Sequence, residues 1–106
     1  MMPFSKARRI AETWVDVMME GTAEIVREAV QAKPYGWIFY YQSSAYLRDR
    51  SDMSNALAGN APFIIDRTNG GLHVLGTGQN FDIRLAAFEK TVPDAVLMAK
   101  PESPNW

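Results

Sequence analysis

The segment Leu57–Gly76, LAGNAPFIIDRTNGGLHVLG, constrains the fold more than any other part of the chain. Gly59 permits a sharp turn at positive φ. Pro62 locks its own φ and has no N–H to donate, so it belongs at the start of a strand, and it pushes Ala61 into extended geometry. Asn60 is a turn residue whose amide can fold back on nearby backbone or be presented to a partner. Phe63 and Ile65 then share one strand face, with Ile64 and Asp66 on the other. Thr68-Asn69-Gly70-Gly71 supply a tight turn that favours φ > 0. The returning strand, Leu72–Leu75, places Leu72 and Val74 on one face, with His73 and Leu75 opposite. The segment therefore predicts a β-hairpin entered through a proline corner.

Upstream, Ser5 is a candidate N-cap for a helix over Lys6–Met19. Ala7, Ile10, Ala11, Trp14, Val17 and Met18 recur at helical spacing and predict its core-facing stripe. Residues Thr22–Lys33 read equally well as helix, from their Ala, Glu, Arg and Gln content, or as a strand entering the Lys33-Pro34-Tyr35-Gly36 turn. Gly36–Gln42, GWIFYYQ, has strong strand composition. Trp37, Phe39 and Tyr41 share one face of it, expected to lie under the first helix, and Ile38, Tyr40 and Gln42 share the other. Ser43–Ala56 reads as a polar connection. Asn80 or Asp82 can cap a helix over Phe81–Lys90, with Phe81, Leu85 and Phe88 on one face and Pro93 at its end. The residues from 93 to 106 read as a C-terminal tail, with Trp106 available to dock.

Composition limits the function classes. A 106-residue chain with 47% hydrophobic residues and a formal charge of −1 fits one globular domain, residues 1–106. The balanced charge lacks the basic stripe of a nucleic-acid binder, and no apolar run approaches a membrane span. Without cysteine there are no disulfides or thiolate sites, which suits a reducing, cytoplasmic setting.

Catalytic patterns are missing as well. His73 is the only histidine, and Asp66 across the hairpin is its one conceivable partner, but no nucleophile or metal set accompanies them. The serines at 43, 44, 51 and 54 lack a nucleophile-elbow pattern. The glycines at 70, 71, 76 and 78 match neither a P-loop nor a dinucleotide fingerprint. The residues point away from an enzyme, and no cofactor or metal is expected.

GWIFYY at 36–41, LAGNAPFIIDRTNG at 57–70 and LHVLGT at 72–77 resemble the YrhB-domain family, also called the immunity protein 35 family. The motif residues carrying the resemblance are Trp37, Gly59, Asn60, Pro62, Asp66, Gly76 and Thr77, in structural or partner-binding roles. The resemblance favours a strand over 22–33. It implies an α+β fold ordered α-β-β-β-β-α: an N-terminal helix, a four-stranded antiparallel sheet built from two hairpins, and a C-terminal helix. It further implies a small non-catalytic immunity protein that neutralises a cognate toxin of a bacterial polymorphic toxin system. A chaperone-like, heat-inducible role is the alternative. Tyr35, Arg48, Arg50 and Arg67 are the candidate partner contacts, and the chain is expected to act as a monomer or homodimer.

Overall fold

The computed structural model describes residues 1–58, 60–76 and 80–106. Helix α1 spans Phe4–Met18. After it come strands β1 (Ala23–Ile25), β2 (Gln31–Lys33), β3 (Gly36–Phe39) and β4 (Tyr41–Ser43), then helix α2 (Ser44–Arg48). The β5 (Phe63–Asp66) and β6 (Leu72–Val74) hairpin precedes helices α3 (Phe81–Glu89) and α4 (Asp94–Leu97).

The α+β class stands, but the expected single sheet does not. Strands β2-β3-β5-β6 form a four-stranded antiparallel sheet, while β1 and β4 form a separate two-stranded ladder. The cause lies in the segment whose propensity is evenly divided. Between the pairs Ile25↔Tyr41 and Gln31↔Ile38, one arm carries five residues and the other two. The excess is taken up by a 3₁₀ turn over Arg27–Ala29, built from good helix formers. Register is lost there, although Val26 N–H still donates to the Tyr40 carbonyl at 2.8 Å. Residues 22–33 are thus two strands with a helical turn between them.

Helix α1 begins two residues before the expected start. Pro3 stands at its cap without a side-chain acceptor, and Ser5 is exposed. The missing cap comes from the far end of the chain, where Glu102 Oε2 accepts from Phe4 N–H at 2.7 Å. The buried stripe is Phe4, Ala7, Ala11 and Val15, whereas Val17 and Met18, expected in the core, are 68% and 59% exposed. Two alanines in the buried stripe let the helix lie close over Trp37, Phe39, Phe63 and Ile65. Phe4 meets the Trp37 ring edge-on, with centroids 5.5 Å apart.

Strand alternation divides the core into two layers. Trp37, Phe39, Phe63 and Ile65 face α1, and Ile38, Ile64 and Leu75 face Phe81, Leu85 and Phe88 of α3 and Val96 of α4. Asn80 Oδ1 caps α3 by accepting from Asp82 N–H at 2.8 Å. Pro93 separates α3 from α4, becoming the N-cap residue of the second helix rather than the start of an unstructured tail. Beyond it the chain returns to α1: Arg8 donates to the Trp106 carbonyl at 2.9 Å, and the Trp106 ring lies under the Arg8 and Arg27 guanidinium groups. The presumed connection 43–56 also contains structure. Ser43 Oγ caps α2, and Asp52 caps a 3₁₀ turn over Met53–Asn55.

Candidate interaction surface

Two motif side chains spend their polar atoms on partners inside the fold. Trp37 is fully buried and its indole N–H donates to the Glu102 carbonyl at 2.7 Å. Asn60 Nδ2 donates to the Tyr41 carbonyl at 2.6 Å, tying the proline corner to β4. The Pro62 carbonyl accepts from Leu75 N–H at 3.2 Å and so opens the β5–β6 ladder. Asp66 Oδ1 accepts from Thr68 N–H at 2.8 Å, while Gly70, at φ +75°, is the one left-handed residue of the turn. Gly76 has φ +80°, and a Cβ there would stand 2.9 Å from Arg84 Nη1. Gly59 and Thr77 lie outside the described residues.

The four expected partner contacts divide evenly. Tyr35 is completely buried beneath Phe88, and its hydroxyl donates to Glu89 Oε2 at 2.7 Å. Burial, reinforced by that carboxylate, pushes its pKa far above the ordinary phenol value. Arg67 is only 8% exposed; Nη1 donates to the Lys100 carbonyl at 3.0 Å and Nη2 lies 3.7 Å from Glu102 Oε1. Neither side chain offers a surface to a partner, because each is held between the sheet and the C-terminal segment. Arg48 and Arg50 are exposed. Arg50 binds Glu28 Oε1 at 2.7 Å, and this hydrogen bond holds Glu28 below the usual carboxylate range.

His73 and Asp66 line one cavity of about 300 Å³ with Asn69, Phe88 and Thr91. The His73 ring packs 5.0 Å from Phe88, and the two candidates share no hydrogen bond among the described residues. Nor does any group of three His, Cys, Asp or Glu gather as a metal site requires among those residues. No helix among them is long and apolar enough to cross a membrane.

A more open concavity lies on the other side of the sheet. A groove of about 640 Å³ runs between α1 and β6, lined by Lys6, Arg9, Ile10, Trp14, Val17 and Leu72, together with Thr13. Val74, on the same face of β6 as Leu72, is 51% exposed. Sequence reasoning missed this groove because it merged two apolar faces of α1 into one stripe. The signal was available: Ile10, Trp14 and Val17 form a second set offset from Ala7, Ala11 and Val15. A second groove, of about 370 Å³, lies along the opposite flank of α1 and carries Glu12, Asp16 and Glu24.

The chain matches the family model for immunity protein 35 over residues 5–103 and belongs to that family. It is also 40% identical over 60 residues to the uncharacterized protein YrhB of Escherichia coli strain K12. That match covers 50% of this chain and 63% of the relative, so the chain spans less than two thirds of the protein it matches. No solved structure is significantly similar.

Proposed function

We propose that the protein binds a cognate bacterial toxin and neutralises it stoichiometrically, without turning over a substrate. Membership of the immunity protein 35 family carries this reading. In this reading the chain is a single cytoplasmic domain acting as a monomer or homodimer. Trp37, Asn60, Pro62, Asp66 and Gly76 maintain the scaffold, and Arg48 and Arg50 are available on the surface.

The test is co-expression with the toxin encoded beside this chain's gene, followed by size-exclusion chromatography. Rescue of growth with a stable equimolar complex is expected. Persisting toxicity with no complex removes the proposal for that partner.

The exposed apolar side chains of the α1–β6 groove favour one second reading, a chaperone-like role toward unfolded clients. Suppressed aggregation of several unrelated proteins would support it. Dependence on a single partner would reject it.

A further inference from the structure

Among the described residues strand β6 is an edge strand, since its one ladder there is with β5. Asp66 N–H donates to the Gly71 carbonyl and Leu75 N–H donates to the Pro62 carbonyl. In an antiparallel ladder the residues that exchange hydrogen bonds alternate with those that do not. Ile64 and His73 are therefore the exchanging pair between these two bonds. Leu72 and Val74 consequently direct their N–H and C=O groups away from β5, toward the open edge. The Leu72 side chain meanwhile lines the apolar groove along α1, and Val74 lies exposed on the same strand face.

This arrangement would leave a bare edge prone to indiscriminate pairing unless it has a partner. On the opposite edge of the sheet, Gln31-Ala32-Lys33, the one side chain on the α1 face is the Ala32 methyl.

The groove also has polarity along its length. The hairpin turn at Gly70 adjoins Ile10, while Trp14 packs 4.7 Å from Phe63, which is paired with Val74. Lys6 and Arg9 thus mark the turn end of the groove, and Trp14 and Val17 the apolar end. No acidic side chain lines it, and neither Lys6 nor Arg9 joins an ion pair among the described residues. A second copy paired antiparallel across this edge by two-fold symmetry would set its Lys6 and Arg9 against the apolar Trp14–Val17 end, leaving both pairs of cations without a carboxylate partner. An acidic partner is therefore favoured over self-pairing.

We infer that an extended segment of the toxin adds as a strand to β6. It would hydrogen-bond to the outward N–H and C=O groups of Leu72 and Val74. Its alternate side chains are apolar, covering Trp14, Val17 and Val74, and a carboxylate at one end meets Lys6 and Arg9. This inference rests on the immunity reading and adds to it the surface and the chemistry of the bound segment.

The experiment measures binding of the purified neighbouring toxin to wild-type protein and to three variants. Val74→Pro removes an outward N–H without touching the β5 ladder. The double variant Lys6→Glu/Arg9→Glu changes only exposed side chains and keeps the test valid should the proline variant fail to fold. Lys90→Glu, an exposed change near the end of α3, is the control.

Affinity should fall about tenfold or more for the first two variants and stay unchanged for the control. The Leu72 and Val74 amides should gain hydrogen-exchange protection in the wild-type complex. A tight wild-type complex that the charge reversal leaves intact, with no new protection at those amides, refutes the β6 assignment while the immunity reading stands. No wild-type complex overturns both. Wild-type self-association abolished by Val74→Pro assigns the edge to a second copy instead.

Discussion

Glu102 is the sharpest test of how this fold is held together, because its side chain supplies the cap that the start of α1 lacks. Replacing it with alanine removes the acceptor of Phe4 N–H, at 2.7 Å, and the carboxylate 3.7 Å from Arg67. The backbone bond from Trp37 to the Glu102 carbonyl is kept. A hydrogen bond to a charged group contributes roughly 1.5–3 kcal/mol, including here a favourable charge at a helix N-terminus. The Arg67 contact is long and Glu102 is partly solvated, so it adds no more than about 1 kcal/mol. The expected loss is therefore about 2–4 kcal/mol, or on the order of 10–25 °C in Tm for a domain of this size. Glu102→Gln retains an acceptor without the charge and should lose roughly half as much. Urea unfolding followed by tryptophan fluorescence reads the change directly, since Trp37 and Trp106 both contact this segment. An alanine variant within about 0.5 kcal/mol of wild type, the range of an ordinary surface change, would refute the trans-cap.

Gly36 should tolerate no side chain. It sits at φ +153°, and a Cβ would stand 2.0 Å from the Ile65 carbonyl oxygen. Gly36→Ala is expected to cost about 3–5 kcal/mol through strain and disturbed ladder bonds, measured by thermal unfolding; an unchanged Tm refutes the close approach. Burial raises the pKa of both Tyr35 and Tyr40, with further contributions from Glu89 and Asp82 respectively. The unfolded chain therefore gives up these protons first, so stability is intact below the usual phenol pKa of about 10 and falls as pH rises above it. Phenolate absorbance should show Tyr35 ionising together with loss of circular dichroism, and reversible ionisation in the folded protein near its ordinary value contradicts this. Asn60→Ala deprives the Tyr41 carbonyl of its 2.6 Å donor and should cost about 1 kcal/mol in urea unfolding, whereas no loss would show that water replaces the amide.

The parts of the fold legible in the sequence are those fixed by local chemistry. Pro62, the alternating FIID strand and the Asn69-Gly70-Gly71 turn specify the β5–β6 hairpin, and Asn80 specifies the start of α3. The start of α1 was not legible, because its cap lies 98 residues away in sequence. The split sheet was hidden for a related reason. Arg27-Glu28-Ala29 suits a helical turn locally, but only the pairings on either side show that it must absorb an offset between two arms. Tyr35 and Arg67 have the composition of surface contacts. What buries them is the return of α3 and of Lys100–Glu102, a long-range event with no local signature.

The motif that marks the family and the surface that reads a partner are subject to different constraints. A side chain whose polar atom is already paired internally can bind a partner only by giving up that pairing, at about 1–3 kcal/mol for a buried group. Trp37 and Asn60 are committed in this way, and Asp66 supports its own turn. Lys6, Arg9, Val17 and Val74 carry no such obligation, so they can change without disturbing the core. If the proposed immunity role holds, discrimination between toxins would fall to the outer face of α1 and the β6 edge, while the motif preserves the sheet that presents them. On that reading, two proteins sharing LAGNAPFIID would keep nearly the same core and could still differ in the partner they bind.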